Sequence, residues 1–162
     1  MKLIPLTQGQ FAKVDDADFD ELQNFSWRAS WRACTKSFYA VRSLPRVNGK
    51  QGYEYLHRKI LGLVPVSGAC GDHANHDTLD CQRANLRACT YSQNLANKKG
   101  AHADSVSGVR GVTRSRTAGK WVAQIGFNGK QIHLGTYPTV ALASAAYAAA
   151  NKKYFGEFGG KL

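Results

Sequence analysis

The sequence predicts an α+β protein built from two small units. Short stretches in which apolar and polar residues alternate, typical of antiparallel strands, occur in both halves, and each half also carries helical patterns. The polar stretch Asn97–Gly108 interrupts the apolar pattern, which then restarts. A chain of 162 residues accommodates at most two small domains. We therefore expect a first domain at 1–98, a linker at 99–107 and a second domain at 108–162.

The chain is strongly basic, and its charge is unevenly distributed. The formal net charge is +11, whereas residues 1–24 carry −3 and residues 101–162 carry +6. Such a charge favours a polyanionic partner, most often a nucleic acid, although a solvated basic surface without a partner is the alternative. The opening MKLIPLTQGQF lacks the apolar core of a secretory signal, and no apolar run is long enough to span a membrane. We expect a cytoplasmic protein without membrane contact.

The cysteines are expected to be reduced thiols. The chain has four cysteines, Cys34, Cys70, Cys81 and Cys89, and no two of them form a close C-x-x-C pair. The expected compartment is the reducing cytosol. The alternative is a zinc site built from three thiols and one imidazole, drawn from Cys70, Cys81, Cys89, His73 and His76. Their spacing lacks the short chelating pair that structural zinc prefers, which favours small buried thiols.

The N-terminal elements follow from alternation and turn residues. Strands are predicted at Leu3–Leu6, Phe11–Val14, Trp27–Trp31 and Phe38–Arg42, and a short helix at Tyr53–Leu63. The turn between the first two strands falls at Gly9. The acidic run Asp15–Glu21 precedes Leu22 and is typical of a first helical turn, where carboxylates are stabilised by the positive helix end. The other interpretation of this run is a metal-binding acidic cluster.

The C-terminal elements are predicted in more detail. Three strands are expected at Val109–Arg114, Lys120–Gly126 and Lys130–Gly135, followed by a helix at about Val140–Lys153. Asn128-Gly129 favours a type I′ hairpin between the second and third strands, because both turn positions need a positive φ. Thr139 can cap the helix, which carries seven alanines between 140 and 150 and can therefore lie close to the sheet.

The segments Val109–Val112, Lys120–Ile125 and Ile132–Tyr137, followed by the Ala-rich helix, resemble the apetala-type domain of plant ethylene-response factors. The resemblance covers about residues 105–158. In that family the exposed sheet face lies in the DNA major groove. The resemblance implies DNA-facing positions at Arg110, Thr113, Gln124, Gln131 and His133, with Arg114 and Arg116 nearby.

Two positions depart from that family. Gln124 stands where those factors have glutamate, and His133 stands where they have tryptophan, so their base preference is not transferred. A bulge near Gly111 would let both Arg110 and Thr113 face outward. Arginine can pair with guanine and glutamine with adenine in the major groove, which supports the same role from chemistry alone.

A second group of residues carries the chemistry of a phosphodiesterase. Such an enzyme needs oxygen ligands for a hard divalent cation and a base that deprotonates water. Asp72 and Asn94 can supply oxygens, and His73 has an ordinary pKa close to neutral. Thr90-x-x-Gln93 is a capping-box pattern that predicts a helix carrying Asn94. Because adjacent strand residues point to opposite faces, Asp72 and His73 can approach one phosphate only if the strand twists or ends there.

This stretch resembles the HNH endonucleases, and in particular phage- and intron-encoded, homing-type members that carry an apetala-type domain. The matching segments are Leu56-His57-Arg58, Asp72-His73, Asn85-Leu86-Arg87 and Ser92-Gln93-Asn94. The resemblance implies a His-Me finger fold (ββα-metal), with its core at about 54–98.

The resemblance also implies residue roles. His73 would be the general base, and Asn85 would orient its ring. Asp72 and Asn94 would hold one Mg²⁺ or Mn²⁺, with Asn97 as a second-choice ligand and His76 as a less favoured one. His57, Arg58 and Arg87 would contact the DNA backbone, although His57 and Arg58 could instead be a helix-surface pair without DNA contact.

Together these patterns predict a metal-dependent DNA endonuclease. It would nick double-stranded DNA at selected sites, as a monomer or weak dimer in a bacterial host cell. A non-catalytic, sequence-specific DNA-binding regulator is the main alternative, and an RNA-binding module is a weaker one.

Overall fold

The structure is a computed structural model that describes residues 1–64, 68–98, 100–101 and 104–159. The chain forms two compact units, Met1–Thr90 and Tyr91–Leu162. This division falls before the predicted linker at 99–107, of which residues 99, 102 and 103 lie outside the described residues. No helix in the described ranges combines the length and the apolar character needed to cross a membrane.

The first unit consists of small antiparallel sheets and short helices. Its elements are β1 (Lys2–Pro5), β2 (Phe11–Val14), α1 (Asp16–Leu22), β3 (Arg28–Arg32), β4 (Ser37–Ser43), β5 (Tyr53–Tyr55), α2 (Leu56–Ile60), β6 (Cys70–His73) and β7 (Leu86–Cys89). The pairs β1–β2 and β6–β7 are two-stranded, whereas β3, β4 and β5 form one sheet in that order. The four predicted N-terminal strands and the helix after the acidic run are confirmed.

The predicted helix at Tyr53–Leu63 is wrong at its beginning. Tyr53–Tyr55 instead forms β5, which pairs with the end of β4, from Val41 to Ser43. The helix occupies only Leu56–Ile60. Over five residues, the apolar spacing of a helix cannot be distinguished from that of a strand followed by a turn. Pairing with β4 therefore determines that Tyr53–Tyr55 is a strand.

The core of the first unit joins its N-terminal hairpin to the β6–β7 region. Buried side chains from most of its elements form one cluster, namely Ile4, Ala12, Val14, Leu22, Trp27, Ala40, Leu56, Ile60, Cys81 and Leu86. The backbone N–H of Lys13 donates to the Leu79 carbonyl at 2.8 Å, and the N–H of Cys81 donates to the Lys13 carbonyl at 2.9 Å. These bonds fix the loop between β6 and β7 against β2.

The second unit is a three-stranded sheet with one long helix packed on it. Its elements are α3 (Tyr91–Ala96), β8 (Val112–Arg114), β9 (Trp121–Phe127), β10 (Lys130–Tyr137), α4 (Val140–Phe155) and a 3₁₀ turn at Gly156–Phe158. The sheet order is β10-β9-β8. Asn128 and Gly129 have φ values of 49° and 73°, which confirms the predicted hairpin turn. Thr139 accepts a hydrogen bond from the Leu142 N–H at 3.3 Å, which confirms the predicted cap.

The first predicted strand of this unit is shorter than expected, and Gly111 explains why. Gly111 has a φ of +70°, and its carbonyl accepts a hydrogen bond from the Gln124 N–H at 2.8 Å. The chain therefore enters β8 only at Val112. The register irregularity lies in β10, between His133 and Gly135, rather than near Gly111.

Candidate functional site

The sheet of the second unit has one buried face and one face that α4 leaves uncovered. On β9, Ala123 and Ile125 are 0% and 2% exposed and pack in clusters with residues of α4. Strand alternation turns Val122, Gln124 and Gly126 to the opposite side. This outer face confirms the predicted orientation of β9.

Polar side chains on the outer face line up across the strands. Gln124 lies opposite His133, and Gly126 lies opposite Gln131, while Thr113 is the neighbour of Val122 on β8. Thr113, Gln131 and His133 are exposed, and Gln124 is half-buried. Within the described residues, the side chains of Gln124, Gln131 and His133 form no hydrogen bond. Their donors and acceptors are therefore available to an external partner. We call these four residues, Thr113, Gln124, Gln131 and His133, the outer-face set.

Arg110 does not lie on β8, in contrast to the outward strand position that the sequence predicted. Its guanidinium donates hydrogen bonds to the carbonyls of Ala96 at 2.9 Å and Lys98 at 3.0 Å, and also to that of Leu95. The last carbonyls of a helix have no partner within the helix. Arg110 therefore completes the C-terminal end of α3.

Arg114 and Arg116 are both exposed beside the sheet. Arg114 is paired in the ladder with Trp121, and its guanidinium carbon lies 5.9 Å from the centroid of that indole ring. Arg116 follows β8 in the connection to β9. Both side chains add positive charge at one end of the sheet.

The β6–β7 hairpin carries an almost fully buried ion pair. Asp72 on β6 lies directly opposite Arg87 on β7. The Nε of Arg87 donates to Oδ2 of Asp72 at 3.1 Å, and its Nη2 donates to the same oxygen. The side chains are 16% and 6% exposed, for Arg87 and Asp72 respectively. Arg87, for which the sequence predicted DNA contact, thus compensates the charge of the predicted metal ligand.

His73 ends β6 and lies in a cluster of rings. Its ring centroid is 4.8 Å from that of His57 and 6.2 Å from that of Tyr39, and Nε2 lies 4.0 Å from Sγ of Cys81. Tyr55 completes this ring cluster, 5.5 Å from His57. The strand β6 thus ends at His73, and the approach of Asp72 and His73 to one phosphate stays a prediction.

Burial changes the protonation of both histidines. Removal from water lowers the pKa of His73 to about 4, against opposing contributions from nearby carboxylates. Burial, reinforced by His73 and Arg58, lowers the pKa of His57 to about 3. Both rings are therefore neutral at pH 7. His73 has the free-base form that a proton acceptor needs, although a base of pKa 4 is weaker than one near 7.

Asn85 holds the loop that follows His73. Its Nδ2 donates to the Asp80 carbonyl at 2.7 Å, and its Oδ1 accepts from the Asn75 N–H at 2.9 Å. The Ala74 N–H also donates to the Asn85 carbonyl at 2.9 Å. Asn85 therefore fixes the backbone of the loop that follows His73.

Two residues predicted to contact DNA lie on α2 and serve packing in the structure. His57 is 7% exposed and faces the ring cluster. Arg58 donates to the carbonyls of Val64 at 3.0 Å and Ala69 at 3.3 Å. These bonds tie α2 to the segment that leads into β6. His57 is buried rather than at the helix surface, and DNA contact by the pair stays a prediction.

The predicted metal ligands belong to different units. Asp72 lies in the first unit, whereas Asn94 lies on α3 of the second unit and Asn97 follows that helix. A shared cation at Asp72 and Asn94 stays a prediction.

Neither clustered-ligand alternative is assembled. Over the described ranges, no group of three or more His, Cys, Asp or Glu side chains could hold a metal ion, the cysteine-based zinc site included. The acidic run forms α1, and its carboxylates bind an arginine of the same chain. Asp18 pairs with Arg83 at 2.7 Å, and Asp15 accepts the Arg83 N–H at 2.8 Å.

The sequence does not indicate the two tyrosines of the ring cluster, of which Tyr39 lies beside His73 and Tyr55 beside His57. Tyr39 and Tyr55 were treated only as strand or helix residues. Their assignment to one face of the sheet, together with Arg28 and Arg32, required the pairing of β3, β4 and β5.

Comparison with known proteins supports one of the two resemblances. No family model matches the chain. The chain is 40% identical over 68 residues to the Ethylene-responsive transcription factor WRI1 of Arabidopsis thaliana, a match that covers 41% of this chain and 16% of that protein. The match thus spans about a sixth of the length of this relative. The similarity agrees with the C-terminal resemblance to plant ethylene-response factors, whereas the resemblance to HNH endonucleases stays a prediction.

Proposed function

We propose that the chain binds duplex DNA through the outer face of the β8–β9–β10 sheet. The observation that carries this proposal is a polar sheet face that α4 leaves uncovered and that holds side chains without hydrogen bonds among the described residues. The similarity to a protein named a transcription factor and the charge of +6 on residues 101–162 support the same partner.

The chemistry of the outer-face set suits base reading in the major groove. The major groove is wide enough to admit a β-ribbon, and each base pair presents a distinct pattern of donors and acceptors there. Gln124 and Gln131 each offer one acceptor and two donors, and a glutamine amide matches the edge of adenine. His133 offers one donor and one acceptor when neutral, and Thr113 offers a hydroxyl and a methyl group. The exposed Arg114 and Arg116 would contact phosphates.

The test is to select a preferred duplex from random sequences with the full chain, and then to measure affinities by fluorescence anisotropy. We expect discrimination of the selected duplex over a scrambled one by at least about 10³-fold. Affinity should fall steeply as the salt concentration rises. Equal binding of both duplexes would contradict sequence reading, and tighter binding of an RNA of the same sequence would support the RNA-binding alternative.

A second candidate function is metal-dependent cleavage of the bound DNA, favoured by the arrangement at the end of β6. There a neutral His73 adjoins the carboxylate of Asp72. Carboxylate oxygens suit a hard divalent cation, so Asp72 is a suitable ligand for Mg²⁺ or Mn²⁺, whereas the participation of Asn94 stays a prediction. When bound, the cation would polarise the scissile phosphate as a Lewis acid.

The residues of the chain would do the remaining work. The His73 imidazole would accept a proton from the attacking water, since burial holds its ring in the neutral form. Arg87 would hold the Asp72 carboxylate in place through their ion pair. Asn85 would hold the loop after His73 and so limit movement of the ring.

Cleavage is tested with supercoiled plasmid in Mg²⁺ or Mn²⁺, by gel detection of the nicked form. His73→Ala should lose activity by at least about 10²-fold while binding DNA as tightly as the native chain. Cys34→Ser, an exposed cysteine of the same unit, serves as the control and should cleave normally. Intact plasmid with the native chain in both metals would leave DNA binding as the only function.

A further inference from the structure

The β3–β4–β5 sheet of the first unit also has two chemically different faces. Ala29 and Ala40, directly opposite each other, are 3% and 2% exposed and lie on the core side. Alternation and register place a different group together on the other side, namely Arg28, Arg32, Tyr39, Tyr53 and Tyr55. We call this group the arginine–tyrosine face. Arg32 and Tyr53 are exposed, and Arg28 is half-buried.

Each arginine of this face lies over a tyrosine ring. The guanidinium carbon of Arg28 is 5.3 Å from the centroid of Tyr53, and that of Arg32 is 5.6 Å from the centroid of Tyr55. Nη2 of Arg32 also donates to the Tyr55 hydroxyl. A stacked guanidinium loses side-chain freedom in advance and keeps most of its N–H groups at its edge. Both guanidinium groups are therefore pre-oriented donors.

The two arginines differ from several others of the first unit in lacking a carboxylate partner. Arg42, Arg83 and Arg87 pair with Glu54, Asp18 and Asp72. Among the described residues, neither Arg28 nor Arg32 forms an ion pair. Their charges are left for an external anion.

The arginine–tyrosine face is continuous with the ring cluster that contains His73. The centroids of Tyr39 and Tyr55 are 5.8 Å apart, and Tyr55 and His57 are 5.5 Å apart. His57 in turn contacts His73. An anion held by Arg28 and Arg32 would therefore lie on the side of the sheet whose tyrosines pack against the buried His57 and His73.

We propose that the arginine–tyrosine face binds the phosphate backbone of duplex DNA independently of base sequence. This inference rests on the proposed DNA binding and extends it to a second surface. Phosphates are the matching groups because the two guanidiniums carry positive charge that no carboxylate compensates among the described residues, and each is already oriented by its contact with a tyrosine ring. Planar, forked guanidinium donors match phosphate oxygens, and such contacts carry no sequence information.

The test measures binding of the full chain to selected and scrambled duplexes over a range of KCl concentrations. The variant Arg28→Gln with Arg32→Gln should weaken both complexes equally, by about 10-fold or more. The slope of log K against log salt should fall by about 1.8, since two phosphate contacts are lost. The matched control, Arg46→Gln with Lys50→Gln, removes two exposed charges from the β4–β5 connection and should leave the slope within about 0.5 of native.

The outcomes separate this inference from the proposed function. One outcome is that the Arg28/Arg32 variant binds with native affinity and native salt slope, while Gln124→Ala still loses sequence discrimination. That outcome would overturn the phosphate-binding surface and leave the second unit as the DNA-binding surface. Absence of duplex binding by the native chain would overturn both. The variant Arg28→Lys with Arg32→Lys keeps the charge and should keep the native slope. If the salt slope falls in this lysine variant as well, the effect of Arg28→Gln with Arg32→Gln comes from structural damage, and the inference is overturned.

Discussion

The imidazole rings of His57 and His73 contact each other inside the first unit, with centroids 4.8 Å apart and an interplanar angle of 65°. They belong to different elements, α2 and β6, and both are less than a tenth exposed. Two buried neutral imidazoles in contact cannot both be protonated without strong repulsion and loss of hydration. The stability of the first unit should therefore depend on pH in a defined range.

We predict that acid destabilises the protein between about pH 6.5 and pH 4. The folded-state pKa values of His57 and His73 are about 3 and about 4, below the unfolded value of 6.5. The unfolded chain thus binds more protons in this range, so the stabilisation is complete above pH 6.5 and is lost as the pH falls. Each histidine should contribute a loss of about 2 kcal/mol between pH 7 and pH 5.

Urea unfolding at several pH values, followed by tryptophan fluorescence, measures this effect. His57→Gln should show a shallower decline than the native chain, and His133→Gln, an exposed histidine, should show the native decline. Parallel curves for native and His57→Gln would refute the assignment.

Removing Arg87 should destabilise the hairpin far more than removing another ion-paired arginine. Arg87→Ala removes the arginine partner of the Asp72 carboxylate, which is 6% exposed, at a cost of about 3–5 kcal/mol. Arg83→Ala breaks a pair in which the arginine is 59% exposed and Asp18 is 14% exposed; solvent screens this pair more, so its loss should cost less, about 1–2 kcal/mol. Free energies of unfolding from denaturant titration compare the two. Equal losses would mean that the Asp72–Arg87 pair is not buried in solution.

Substituting Gly111 should disrupt the second unit. A Cβ at this position would lie 2.2 Å from two ring carbons of Tyr147 and 2.6 Å from the Gln124 carbonyl oxygen, at a φ of +70°. Gly111→Ala should therefore cost about 3 kcal/mol or more, from overlap and from the left-handed conformation. Gly119→Ala has a similar φ of +72° with nothing within 4 Å, and should cost about 1–2 kcal/mol. Thermal unfolding by circular dichroism distinguishes the two, and the prediction fails if both variants melt together.

Sequence discrimination should depend on the outer-face set. Gln124→Ala and His133→Ala should each reduce the preference for the selected duplex by about 1–3 kcal/mol while leaving binding to scrambled DNA nearly unchanged. Leu142→Ala, at an exposed position of α4 on the other side of the sheet, is the control. Competition binding with the two duplexes gives the preference directly. A uniform loss on both duplexes would indicate that these residues do not read bases.

Divalent cations should stabilise the chain through Asp72. Mg²⁺ or Mn²⁺ should raise the melting temperature of the native protein, because a ligand that binds only the folded state stabilises it. The increase should vanish in Asp72→Asn and persist in Asp104→Asn, an exposed carboxylate of the second unit. The relevant measurement is the metal-induced shift, since Asp72→Asn also changes the basal melting temperature. A full shift in Asp72→Asn would exclude this residue as the ligand.

Several elements could be predicted because their causes are local. Asn128-Gly129 specifies its turn through the positive φ that both residues tolerate, and Thr139 specifies a helix start through its own hydroxyl. The resemblance to ethylene-response factors implied the outer-face positions, and alternation along β9 agrees with it for Gln124, since side chains of a strand change sides at every residue. Asp72 and His73 stand out by residue type and adjacency, which are visible without coordinates, whereas the role of Asn85 is implied only by the resemblance to HNH endonucleases.

Contacts between distant segments were decided only by the tertiary structure. The sequence places Arg110 on a strand, but its guanidinium binds the carbonyls of Leu95 and Ala96 at the end of α3 and that of Lys98 just after it. The pairing of Arg87 with Asp72 depends on the register of β6 and β7, and the neutral state of His73 depends on burial. The sequence by itself thus determined the local elements and the chemically capable residues. Folding decided which of their charges are compensated internally and which remain for a partner, because compensation depends on distances across the chain that no local pattern records.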